Sequence, residues 1–131
     1  MNIYDGDELI ATIRKYSDWK PGLDFVTDDH AFIQVGTWNY NSGKTLDRHE
    51  HNIVERFSDK TQEFVFVVDG SMKVDFYSTN RTYLESITLQ KYDYAVIFGG
   101  GHAYEILEDN TKIIETKNGP FPGVELDKTR Y

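Results

Sequence analysis

With 131 residues, the chain has the length of one domain, enough to build a core without disulfide or metal staples. Hydrophobic residues make up 39% and aromatic residues 15%, which excludes a disordered chain, and the absence of cysteine excludes thiol catalysis, disulfides and thiolate metal sites. A formal net charge of -8 argues against nucleic acid or an anionic membrane as partner, and the missing cysteines fit a reducing cytoplasm.

The N-terminus, MNIYDGDELI, carries acid where a secretory leader carries base and then an apolar run. No segment has the unbroken apolar length that spans a bilayer. Along the chain, short β-rich runs alternate with turn signals and no long helical period appears. Residues 8–15 (ELIATIRK) predict a strand or a short helix, and Trp19-Lys20-Pro21-Gly22 a turn. A short strand at 24–27 and a longer one at 31–40 follow, the second broken by Asn41-Ser42-Gly43. His30, within Asp28-Asp29-His30, reads as a turn residue near carboxylates. A strand at 44–51 carries His49 and His51, and residues 52–61 read as a polar loop. Residues 62–70 (QEFVFVVDG) form the strongest strand pattern, with Asp69-Gly70 as a hairpin signal into 71–78. Strands are predicted at 83–90, 94–98, 102–107 and 111–117, and a surface coil at 119–131. Nine or ten short strands at regular spacing predict one all-β domain over 1–131, a sandwich, jelly roll or barrel.

Three of the four histidines stand in two short segments, RHEH (48–51) and GGGH (99–102). On a strand, His49 and His51 leave the same face, so both rings can reach one ion or one substrate. Along 63–68, Glu63 shares a face with Val65 and Val67, while Phe64, Phe66 and Val68 take the other. Both faces are apolar beyond Glu63, so the strand is buried on both sides and its carboxylate needs a cationic partner, a ligand or water. His102 follows three glycines, the mark of a bulge or a close backbone approach. His102, Tyr104 and Ile106 share a face, which sets a phenol near the site as a proton donor or substrate contact.

These residues resemble the two motifs of a cupin. The first is His49-Glu50-His51, then Glu63, six residues and Gly70; the second is Phe98-Gly99-Gly100-Gly101-His102. The resemblance implies a single cupin domain, a double-stranded β-helix of jelly-roll barrel type. It also implies His49, His51, Glu63 and His102 as ligands of a divalent metal ion such as Zn, Fe, Mn or Ni. The loop from His51 to Glu63 is longer than the family's usual spacing, so Glu55 is a rival for the acidic ligand; the count to Gly70 favours Glu63. More narrowly, HEHN (49–52), TQE (61–63), GGGH (99–102) and GPFPG…DKTR (119–130) resemble small cupins of sugar-modification and surface-polysaccharide genes.

The leading expectation is a cytoplasmic, metal-binding cupin acting on a sugar or sugar nucleotide. The metal would serve as Lewis acid, with Tyr104 or Glu55 moving the proton. One alternative is a metal-independent sugar-nucleotide isomerase or epimerase with histidine as general base. The other is a non-catalytic ligand-binding module. A homodimer is the expected assembly, because edge strands in such folds often pair between subunits.

Overall fold

The computed structural model describes residues 1–131. Ten strands are joined in the order β1 (Asn2–Asp5), β2 (Glu8–Arg14), β3 (Gly22–Phe25), β4 (Gly36–Asn39), β5 (Glu63–Asp69), β6 (Ser71–Tyr77), β7 (Tyr83–Gln90), β8 (Tyr94–Ile97), β9 (Gly101–Ile106) and β10 (Lys112–Lys117). A 3-10 turn at Tyr16–Asp18 and a one-turn helix, α1 (Val124–Asp127), complete the chain. No helix is long and apolar enough to cross a membrane.

Five strands form one antiparallel sheet in the order β1-β2-β8-β5-β10, and three form a second in the order β7-β6-β9. The main core lies between them. Ile3, Ile10, Ile13, Val65, Val67, Ala95 and Ile97 come from the first sheet, and Met72, Val74, Phe76 and Leu89 from the second. The far face of the larger sheet carries Tyr94, Val96, Phe64 and Phe66, covered by Val26, Ala31, Ile33 and Val35 from the β3–β4 region. The pattern of 63–68 is therefore realised on both faces of β5: Val65 and Val67 enter the main core, and Phe64 and Phe66 the outer layer.

The chain is all-β, of sandwich or jelly-roll class, as its strand rhythm predicts. The sheets do not close into a barrel: the β3–β4 hairpin stands as a separate ribbon and the two larger sheets share no paired strand. The Asp69-Gly70 signal marks a corner, not a hairpin. β5 pairs with β8 and β10, whereas β6 pairs with β7 and β9, so the single residue Gly70 carries the chain from one sheet to the other. Its φ of 78° suits glycine, and a Cβ there would collide with Thr111. Gly99-Gly100 makes the matching crossing from β8 to β9.

Three local expectations change. The strand at 44–51 does not form; residues 40–62 contain no strand at all. KTLDRHEH offers one large apolar side chain, Leu46, and no face to bury, so nothing draws it onto a sheet edge. The strand at 31–40 shrinks to Gly36–Asn39. The Gln34 carboxamide donates to the carbonyls of Asp28 and Ala31, and His30 N–H donates to Asp28 Oδ1 at 2.8 Å, holding this stretch as a turn. The N-terminal residues form β1, paired with β2, and the tail coil contains α1.

Candidate active site

Glu63 opens β5, where its cross-strand neighbours are Ile97 on β8 and Lys117 on β10. It leaves the sheet on the same face as Val65 and Val67 and so points between the two sheets. On the opposite sheet, His102 and Tyr104 lie in register with Phe76 and Val74, both buried in the main core. The alternation of β9 therefore turns the imidazole and the phenol inward, toward Glu63.

The three side chains meet. Tyr104 Oη donates to Glu63 Oε1 at 3.1 Å, and His102 Nε2 stands 3.6 Å from the same oxygen. The imidazole and phenol rings are 5.0 Å apart, tilted by 45°. Glu63 is only 5% exposed. Its burial alone would raise the carboxyl pKa, but His102, the Tyr104 hydroxyl and the Lys117 ammonium outweigh it and hold the acid below its ordinary range. Burial, and then the charge of Glu63 and the hydrogen bond to it, push the Tyr104 phenol far above its ordinary value. Glu63 is thus a carboxylate and Tyr104 a neutral donor at neutral pH. The Tyr104 ring keeps part of its surface in solvent while its hydroxyl reaches in to Glu63.

A carboxylate facing Nε2 favours the tautomer with the proton on that nitrogen, which leaves Nδ1 as the basic atom of His102. Nδ1 is buried and has no hydrogen-bond partner within the chain. An imidazole oriented by a buried carboxylate, with one nitrogen unengaged, has the form of a general base.

The other expected site residues lie elsewhere. His49, His51 and Glu55 are exposed on the irregular 40–62 segment. The two histidine rings sit edge to face, 5.4 Å apart, with His49 Nδ1 3.0 Å from the Asp47 carbonyl oxygen. The four expected ligands fall into two pairs, Glu63 with His102 and His49 with His51, and no three His, Asp or Glu side chains are grouped to hold an ion. The expected four-ligand set is therefore not assembled in this arrangement.

Lys117 is the site neighbour that sequence patterning missed. Its signal was a basic residue ending the strand at 111–117, but only the pairing of β10 with β5 places it beside Glu63. Comparison with family models, with curated proteins and with solved structures finds no match for the chain. The likeness to cupins rests on the motifs themselves.

Proposed function

We propose that the protein is a cupin-like acid–base catalyst acting on a small carbohydrate, with His102 as the proton-transferring group. The observation that carries this reading is the shared contact of Tyr104 and His102 with one buried carboxylate oxygen of Glu63. Glu63 orients the ring and stabilises the imidazolium formed when Nδ1 takes a proton. Tyr104 holds the carboxylate in place and, with its ring edge open to solvent, forms a wall of the site. Lys117 adds positive charge beside Glu63. The substrate class suited to this chemistry is a keto-sugar, whose proton beside the carbonyl is removed and returned in an isomerisation or epimerisation. Nδ1 is shielded in the free protein, so substrate entry replaces the atoms that cover it. A cytoplasmic location and a homodimer belong to the same reading.

The test is proton exchange. A keto-sugar nucleotide incubated with the protein in D2O is followed by NMR for loss of the proton next to the carbonyl. The expected result is catalysed exchange that falls about 100-fold or more in His102→Asn, within the range general base catalysis contributes. Equal exchange by wild type and His102→Asn overturns the assignment.

A second reading, a metal-binding cupin, is supported by the adjacent rings of His49 and His51 on a segment without strand pairing, together with the unengaged Nδ1 of His102. Stoichiometric metal in untagged protein that is lost in His49→Ala would favour it over the metal-independent reading.

A further inference from the structure

The two tryptophans of the chain, Trp19 and Trp38, are its only ones, and both line one open cleft of about 380 Å³ together with Tyr16 and Asn39. The cleft lies on the side of the larger sheet away from the main core, where Trp19 also borders an adjoining apolar hollow with Phe64, Phe66 and Tyr94. It is built from the 3-10 turn after β2 and from β4, so it draws on no part of the Glu63 site.

The rings are exposed where burial would be the ordinary state. Trp38 is 57% exposed and Tyr16 63%. Tyr40 packs edge-on against Trp38 with centroids 6.5 Å apart, and Tyr16 leans on Trp19 at the same distance. These contacts brace the aromatic walls without covering them. Trp19 Nε1 is buried yet meets no acceptor. A buried donor without an acceptor in the chain is one that a bound group or a water can satisfy. Clustered exposed aromatics mark a binding surface, and indole and phenol suit partners that are apolar on one side and polar on the other.

The chemistry of the rim narrows the partner. Asn39 brings an exposed carboxamide, both donor and acceptor, to the cleft. Lys20, which follows Trp19, is already paired with Asp24 at 3.1 Å. The four residues that line the cleft carry no charge. A neutral sugar meets these terms: its C–H face stacks on an aromatic ring while its hydroxyls exchange hydrogen bonds with the carboxamide of Asn39 and the phenol of Tyr16. We infer that the cleft formed by Tyr16, Trp19, Trp38 and Asn39 is a binding site for a neutral oligosaccharide, separate from the Glu63–His102–Tyr104 site and independent of its function.

Because both tryptophans line the cleft, intrinsic fluorescence reports on it directly. Wild-type protein is titrated with neutral tetrasaccharides of glucose, mannose and N-acetylglucosamine, with emission followed at several protein concentrations. The expected result is a saturable change with at least one probe. Trp38→Ala should weaken that binding at least ten-fold while keeping the wild-type melting curve, since the side chain is mostly exposed. Glu63→Gln should bind as wild type. Trp19→Phe, which retains an aromatic wall, should bind with intermediate affinity. No saturable response to any probe, or unchanged binding in Trp38→Ala, overturns the inference. So does emission that shifts with protein concentration in step with sedimentation, since the cleft would then be a contact between two copies.

Discussion

At the scale of single residues, the outcome turns on how a carboxylate survives in a site that is almost fully enclosed. Left unpaired, it would take up a proton; His102, Tyr104 and Lys117 reverse that tendency. The folded state therefore binds the Glu63 proton more weakly than the unfolded chain does, whose reference value is 4.5. Stabilisation from this depressed acid is complete above that value and is lost as pH falls through the lower folded one. Glu63→Gln removes the charge but keeps the shape. At pH 7 it should cost about 2 kcal/mol, the scale of a buried hydrogen bond to a charged group. Urea unfolding at pH 7 and pH 3.5 should show the gap between variant and wild type closing at the acid end. A gap of constant size across that range would mean that the carboxylate charge is not what the three groups hold.

Secondary-structure elements show where local sequence is enough and where it is not. The strands at 83–90 and 111–117 were legible because each is a short run containing β-branched residues between turn signals, and β5 because its run is apolar on both faces. The role of Asp69-Gly70 was not legible: a left-handed glycine serves a hairpin and a sheet-to-sheet corner equally well, and only the pairing of β5 with β8 and β10 decides. The same limit hid Lys117. The shared face of His102 and Tyr104 was legible, because alternation along β9 sets it, whereas their meeting with Glu63 depends on how the two sheets pack. The strand at 44–51 failed for the opposite reason: alternation without an apolar face has nothing to anchor it. Gly100 gives the element-scale test. Its φ is 66°, and a Cβ there would run into the backbone carbonyl of Tyr77, which cannot swing aside. Gly100→Ala should therefore destabilise the protein by about 1–3 kcal/mol, measured by urea unfolding, whereas Gly43→Ala, with open space around it, should fall at or below the lower end of that range. Equal effects at the two glycines would mean that the β8–β9 corner is not tightly packed.

On the scale of the whole molecule, the long irregular stretch between β4 and β5 divides the chain without dividing the fold. Residues 40–62 lack strand or helix, and Ile53 and Phe57 are exposed there. Irregular loops of that length are uncommon in compact domains and are usual sites of proteolytic nicking. The two parts on either side are nevertheless interlocked, because β2 lies inside the larger sheet against β8 and contributes Ile10, Ala11 and Ile13 to the shared core. Brief trypsin treatment should cut first after Lys44, Arg48, Arg56 or Lys60, ahead of the lysines and arginines within strands. Cutting there leaves every ladder of the larger sheet intact, so the two fragments should co-elute as one species and separate only in denaturant. Fragments that part under native conditions would show that the β2–β8 contact is too weak to hold the sheet. A first cut inside β6 or β10 would instead place the weakest part of the fold within the sandwich. After cutting within 40–62, Glu63 and His102 lie on the same fragment, β5 to the tail, and their meeting depends on the two sheets staying together. Preservation of the Glu63–His102 contact in protein nicked after Arg56 or Lys60 would therefore separate the Glu63 site from His49 and His51, which those two cuts detach from it in sequence.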